Sequence, residues 1–142
     1  MSKAIALNSN ISYGSVADKD IHSFIAAIKN GIEFSFFALL IKDSPFSLNE
    51  WSGFLNMSER TMQRYKLEKK SFDPIYAEKI LEVTLLYNFG IEVFGNRERF
   101  NNWLTTKNLA LGGIEPKELL DNTFGIGLLK DELTRIEYGI LA

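Results

Sequence analysis

Residues 58–70 read Ser-Glu-Arg-Thr-Met-Gln-Arg-Tyr-Lys-Leu-Glu-Lys-Lys. Their side chains suit one chemistry, the reading of a nucleic acid. Arg60 and Arg64 offer the planar fork that matches guanine, Gln63 the amide that matches adenine, and Thr61 a hydroxyl that serves either. Lys66, Lys69 and Lys70 suit phosphate, which positions a protein without reading sequence. Ser58 has the side chain of a helix N-cap, and Glu59 suits the positive end of the helix dipole that follows. Five basic side chains stand here against two acidic ones, a net of +3 in a chain whose overall formal charge is −2. Charge alone leaves two readings open: a DNA-reading helix, or the solvated basic face of an ordinary helical hairpin. Met62 and Tyr65 fall on the opposite side of the helix and are expected to pack inward.

Other chemistries find little support. The chain has one histidine, His22, and no cysteine. That argues against a metal site and leaves no disulfide framework. Gly125-Ile126-Gly127 lacks the lysine and spacing of a phosphate loop. No serine stands in a recognisable frame with a histidine and a carboxylate. We therefore expect a non-enzyme with no catalytic residue, metal or cofactor. The cysteine-free composition fits a reducing, cytoplasmic compartment. The N-terminal apolar stretch is too short for a signal peptide, and the apolar run over residues 34–41 is too short to span a membrane.

The elements that must carry the basic segment are all helical. Apolar residues recur at spacings of three and four, and no useful stretch alternates with period two, so we expect an all-α fold with β-content near zero. Residues 1–16 show little periodicity and read as a flexible arm. Asp18 or Asp20 can cap a helix that runs to about residue 30 and presents Ile21, Phe24, Ile25 and Ile28, with Gly31 ending it. A second helix is expected over about 33–42. Ser47-Leu48-Asn49-Glu50 is a capping-box pattern opening a third, lined by Leu48, Trp51 and Leu55. A turn at Asn56-Met57 leads to the basic helix, which runs to about residue 68, with a loop over 69–72. The pair over 47–68 thus has the proportions of a helix-turn-helix: one helix braces and the next lies in the major groove. Asp73-Pro74 restarts the chain into a long helix over about 74–94, with Ile75, Ile80, Leu81, Leu85 and Phe89 among its apolar positions. Gly90 interrupts that helix at a cost of roughly 1 kcal/mol relative to alanine. Gly95-Asn96 marks a boundary between an N-terminal helical domain over 17–95 and a second one over 96–142.

In the second domain, short helices are expected over about 97–104, 115–120 and 125–138. Phe100, Trp103, Leu104, Leu119 and Leu120 read as core. Gly112-Gly113 gives a turn that tolerates positive φ, and Pro116 suits a first helical turn. The last helix places Leu128, Leu129, Leu133 and Ile136 on an apolar stripe. Asp131, Glu132, Arg135 and Glu137 point outward or across an interface. Residues 113–142 carry six acidic side chains against three basic ones, a net of −3. Gly139 stops the helix and leaves Ile140-Leu141-Ala142, an apolar tail that either folds back on the core or inserts into a partner.

Two motifs carry a family resemblance. Trp103-Leu104, Asn108, Ala110-Leu111-Gly112-Gly113, Pro116, Leu119-Leu120 and Arg135-Ile136-Glu137 followed by Gly139 keep the order W-L-x(3)-N-x-A-L-G-G-x-x-P-x-x-L-L … R-I-E-x-G. This resembles the toxin-binding domain of Xre/ParS/MbcA-type antitoxins, partners of RES-domain toxins. Ser58, Arg60, Thr61, Gln63 and Arg64 match S-x-R-T-x-Q-R, typical of the Xre-like helix-turn-helix that precedes that domain. The matches cover residues 47–142. The resemblance implies an antitoxin that blocks the active site of an NAD-degrading RES toxin and binds operator DNA to autoregulate its operon. By motif position, the DNA-binding residues are Ser58, Arg60, Thr61, Gln63, Arg64, Lys66, Lys69 and Lys70. The toxin-binding residues are Arg135, Glu137, Tyr138, Ile140, Leu141 and Ala142, with Phe124 beside them. The implied assemblies are a homodimer on paired half-sites, since one helix-turn-helix makes few phosphate contacts, and a toxin–antitoxin hetero-oligomer. Two rivals stand beside this reading: a plain repressor whose C-terminal module only dimerises, and a helical adaptor that never touches DNA.

Overall fold

The computed structural model describes residues 10–14 and 21–139. The helices expected from periodicity form in order: α1 (Ile21–Asn30), α2 (Phe34–Ile41), α3 (Leu48–Phe54), α4 (Glu59–Glu68), α5 (Pro74–Phe94), α6 (Arg97–Leu104) and α7 (Thr123–Glu137). Two strands of two residues, β1 (Ile32–Glu33) and β2 (Ser71–Phe72), pair antiparallel. They replace part of the loop expected over 69–72. Their purpose is packing: Ile32 is 2% exposed and Phe72 fully buried, with Phe72 set among the rings of Phe34, Phe37, Tyr65 and Tyr76. The fold is all-α around this minimal clip.

α5 is the axis. Ala77, Ile80, Leu81, Val83, Thr84, Leu85, Leu86, Tyr87 and Gly90 are all buried. These positions run right round the helix, as they must when neighbours cover every side. α1, α2, α6 and α7 all pack against α5. Asp73 precedes Pro74 at the helix start, and Gly95 closes the helix in the left-handed conformation at φ 72°. Ile75, expected among the apolar positions, is 79% exposed, because it lies in the first turn beyond the reach of those neighbours.

Gly90 has a structural reason. A Cβ there would overlap the ring of Phe100, which is fully buried against α5. The helix-propensity penalty of glycine is accepted so that α6 can lie close.

Of the arm expected over residues 1–16, residues 10–14 are described, and they are docked. Ile11 is 4% exposed, and its carbonyl accepts a hydrogen bond from Asn88 Nδ2 at 2.8 Å. Tyr13 packs edge-on against Phe89 of α5, and Lys130 Nζ of α7 sits 3.9 Å from its ring centroid. Burial and the nearby Glu82 carboxylate push the Tyr13 hydroxyl up to about 12. The expected caps Asp18 and Asp20 lie outside the described residues.

Candidate functional site

Local chemistry builds the α3–α4 hairpin as the sequence implies. Ser47 Oγ accepts the N–H of Glu50, and Glu50 Oε1 accepts the N–H of Ser47, both at 3.0 Å. This reciprocal pair satisfies two donors that the helix leaves without partners. Trp51, Phe54 and Leu55 are buried. Asn56 turns the chain at φ 58°, in the left-handed region that asparagine tolerates. Met57 is 9% exposed, and Ser58 Oγ accepts the Thr61 N–H at 3.0 Å to start α4.

α4 buries one side only. Met62 is 1% exposed and Tyr65 half-buried, so both face inward as expected. Arg60, Gln63 and Arg64 are exposed and share the opposite face. Ser58 and Thr61 do not join that face as free groups. The Ser58 hydroxyl donates to Thr61 Oγ1 at 2.9 Å, so both hydroxyls are engaged in the cap. Lys66 lies on a flank. Lys69 closes α4 in the left-handed conformation at φ 53°, and Lys70 reaches back over Tyr65, 5.2 Å from the ring centroid. The candidate nucleic-acid residues thus separate into an outward row (Arg60, Gln63, Arg64), an engaged cap (Ser58, Thr61) and a lysine fringe (Lys66, Lys69, Lys70).

The C-terminal segment is shaped by turns. Asn108 Oδ1 accepts the Ala110 N–H, and the Asn108 carbonyl accepts the Gly113 N–H, both at 2.8 Å. Gly112 and Gly113 pass through φ 90° and 82°, as the Gly-Gly pair implied. The helix expected over 115–120 is a single 3₁₀ turn, Pro116–Leu119, with Leu120 buried behind it. Asn122 Oδ1 then accepts the Gly125 N–H at 2.6 Å and starts α7 two residues earlier than expected. Gly125 is buried, and a Cβ there would overlap the carbonyl oxygen of Leu119. The start of α7 therefore lies flush against the preceding turn.

α7 divides cleanly into two sides. Ile126, Leu129 and Leu133 are buried against the core. Leu128, expected on that apolar stripe, is 46% exposed instead. It stands four residues from Phe124, which is 92% exposed, and ten from Tyr138, which is 72% exposed. Helical spacing puts Phe124, Leu128, Asp131, Arg135 and Tyr138 on one line, directly opposite the core. Arg135 is held on that line by Glu132, whose Oε1 accepts from Nη1 at 2.8 Å. Glu137 is exposed on a different side of the helix. The structure thus brings Phe124, Arg135 and Tyr138 together, adds Leu128, and separates Glu137. Ile140, Leu141 and Ala142 lie outside the described residues. Leu128 was legible by counting fours from Phe124, which places it about 100° round the helix from Leu129 and away from the core.

The α3–α4 hairpin and the C-terminal segment also touch. Lys117 Nζ donates to Glu50 Oε2 at 2.8 Å, and Asn56 Nδ2 donates to the carbonyl of Asp121 at 3.2 Å. No group of three or more metal-ligating side chains gathers among the described residues, and no described helix is long and apolar enough to cross a membrane.

The arrangement is a helical hairpin with a cationic outer row, joined to a small helical module that displays apolar side chains to solvent. Residues 90–139 match the family model of the antitoxin Xre/MbcA/ParS C-terminal toxin-binding domain. This segment, about a third of the chain, supports an antitoxin role in a toxin–antitoxin system with a toxin as partner. No curated protein matches the chain.

Proposed function

We propose that this antitoxin silences a RES-domain, NAD-degrading toxin by seating the outer line of α7 and the tail beyond it in the toxin's active-site pocket. The same chain binds operator DNA through α4 and so regulates its own operon. The observation that carries the first part is the line of Phe124, Leu128, Arg135 and Tyr138, inside the matched domain and opposite its core. Large apolar side chains at such exposure are costly to leave in water and typical of a surface that a partner covers. Arginine and tyrosine beside them are the residue types that most often dominate binding energy. The inhibitor acts by occlusion and needs no chemistry of its own.

The DNA-binding part rests on the outward row of α4 and its excess of positive charge. A single hairpin offers few phosphate contacts, so a homodimer on two half-sites is the binding form. Toxin and antitoxin then form a hetero-oligomer on the operator.

The test is co-purification with a RES-domain toxin, combined with an assay of NAD loss. The wild-type chain is expected to co-elute and suppress NAD loss. The Phe124→Asp, Leu128→Asp double variant is expected to do neither while keeping its circular dichroism. Full protection by that variant would overturn the α7 reading. Protection unchanged after deletion of residues 138–142 would restrict the contact to α7 alone.

A further inference from the structure

Leu67 is 80% exposed near the end of α4, in a helix that is otherwise strongly polar. It continues the outward row. Arg60, Gln63, Arg64 and Leu67 stand at i, i+3, i+4 and i+7, the spacing that places four side chains on one strip of a helix. A helix lying along a major groove reads bases through such a strip. We propose that Leu67 is a base-reading residue that recognises the 5-methyl group of thymine. This inference rests on the DNA-binding reading given above.

The surroundings select the occupant. Arg60 and Arg64 share the strip with Leu67, whose sequence neighbours are Lys66 and Glu68. An apolar protein surface docked on Leu67 would have to desolvate these cations, and a buried unpaired charge is expensive. A polyanion welcomes them. In the major groove of such a polyanion the exposed apolar group on a base edge is the thymine methyl, and apolar side chains are its partners. The arginines and Gln63 then hydrogen-bond to the flanking base pairs while Leu67 covers a methyl.

Methyl removal tests this. The duplex directly upstream of the chain's own reading frame is prepared with thymine, or with uracil at single positions, and affinities are measured at one fixed salt concentration. Burial of one methyl-sized group corresponds to roughly a fourfold change in affinity. The wild-type chain is expected to lose about that factor at one or two positions per half-site. Leu67→Ala, whose new side chain suits a helix, is expected to bind the thymine and uracil duplexes equally. Arg60→Ala is expected to bind both more weakly while keeping the methyl-dependent difference. If the wild type binds the duplex but no uracil position matters, or if Leu67→Ala keeps the wild-type methyl response, the assignment of Leu67 is overturned and the DNA-binding reading stands. If the wild type does not bind the duplex at any salt concentration, the DNA-binding reading itself fails and takes this assignment with it.

Discussion

The ammonium of Lys117 lies 2.8 Å from the carboxylate of Glu50, joining residues 67 positions apart in sequence. Glu50 is also the carboxylate of the α3 capping box, so one side chain serves both a helix start and a tertiary link. Burial alone would raise its pKa. The hydrogen bonds from Lys117 and from the Ser47 N–H more than offset that and hold it below the ordinary glutamate value. Lys117 is shifted upward, chiefly by Glu50. Both side chains are about a third exposed (30% and 33%), so solvent screening keeps the pair worth roughly 0.2–1 kcal/mol. Lys117→Ala is expected to lower the melting temperature by about 1–3 °C near neutral pH. Because Glu50 has the depressed pKa, its contribution is present above the unfolded value of about 4.3 and is lost as the pH falls through the folded value. Lys117, with its raised pKa, contributes below about 10.4 and loses that as the pH rises through its folded value. Thermal melts across this range should show the difference between wild type and variant shrinking at both ends. Glu50→Ala should cost about 1 kcal/mol more than Lys117→Ala, since it removes the cap as well.

Gly90→Ala should destabilise the protein despite alanine's better helix propensity. The new methyl meets the Phe100 ring, and overpacking of this kind costs about 1–3 kcal/mol. Urea titration should show the midpoint fall, and Phe100→Leu in the Gly90→Ala background should recover part of it by opening room. A midpoint equal to wild type would mean that α6 moves aside freely.

The two glycines of Gly125-Ile126-Gly127 should respond oppositely to alanine. At Gly125 the obstacle is the backbone oxygen of Leu119, which no rotamer change can move. At Gly127 nothing lies within 4 Å of the added carbon. Gly125→Ala is expected to lose on the order of 2 kcal/mol, and Gly127→Ala to gain up to about 1 kcal/mol from reduced unfolded-state entropy. Denaturant midpoints of the two variants decide it.

Glu137 and Tyr138 are adjacent yet face different ways, so their alanine variants should separate. On the proposed α7 interface, Tyr138→Ala is expected to weaken toxin binding by about 2 kcal/mol, as loss of an aromatic hot-spot contact does. Glu137→Ala should change it by less than about 0.5 kcal/mol. Isothermal titration with the partner toxin measures both. Equal losses would show that the partner reaches round the helix.

On the proposed DNA-binding reading, salt dependence should distinguish the arginines from the lysines on α4. Lys66→Ala is expected to lower the slope of log affinity against log salt by about one and to weaken binding to all sequences alike. Arg64→Ala should cost about 1–3 kcal/mol on the operator and far less on unrelated DNA, if it reads a guanine. Fluorescence anisotropy at several salt concentrations gives both quantities.

Much of this architecture was legible in the chain. Caps at Ser47 and Ser58 and a first-turn proline at Pro74 announce helices whose starts the structure keeps, and Gly95-Asn96 announces a boundary. Those signals are local, so a linear reading finds them. What escaped was set by contacts distant in sequence. The β1–β2 clip exists because Ile32 and Phe72 meet across forty residues, and a two-residue strand has no periodicity to detect. Gly90 looked like a flaw until Phe100 supplied its neighbour. Leu128 looked apolar and therefore internal, although its angular position on α7 argued otherwise. In the candidate surfaces, residue types were readable; which of them share a face, and which spend their hydroxyls on a cap, required the fold.

α5 supplies the wall against which α1, α2, α6 and α7 pack, and the matched domain begins inside its last turns, at Gly90. Gene fusion or recombination that joined a foreign C-terminal half after Gly95 would therefore import a helix fitted to another protein's groove. On the proposed α7 interface, new toxin specificity is more readily acquired by exchanging side chains along its outer line, which leaves that shared wall untouched.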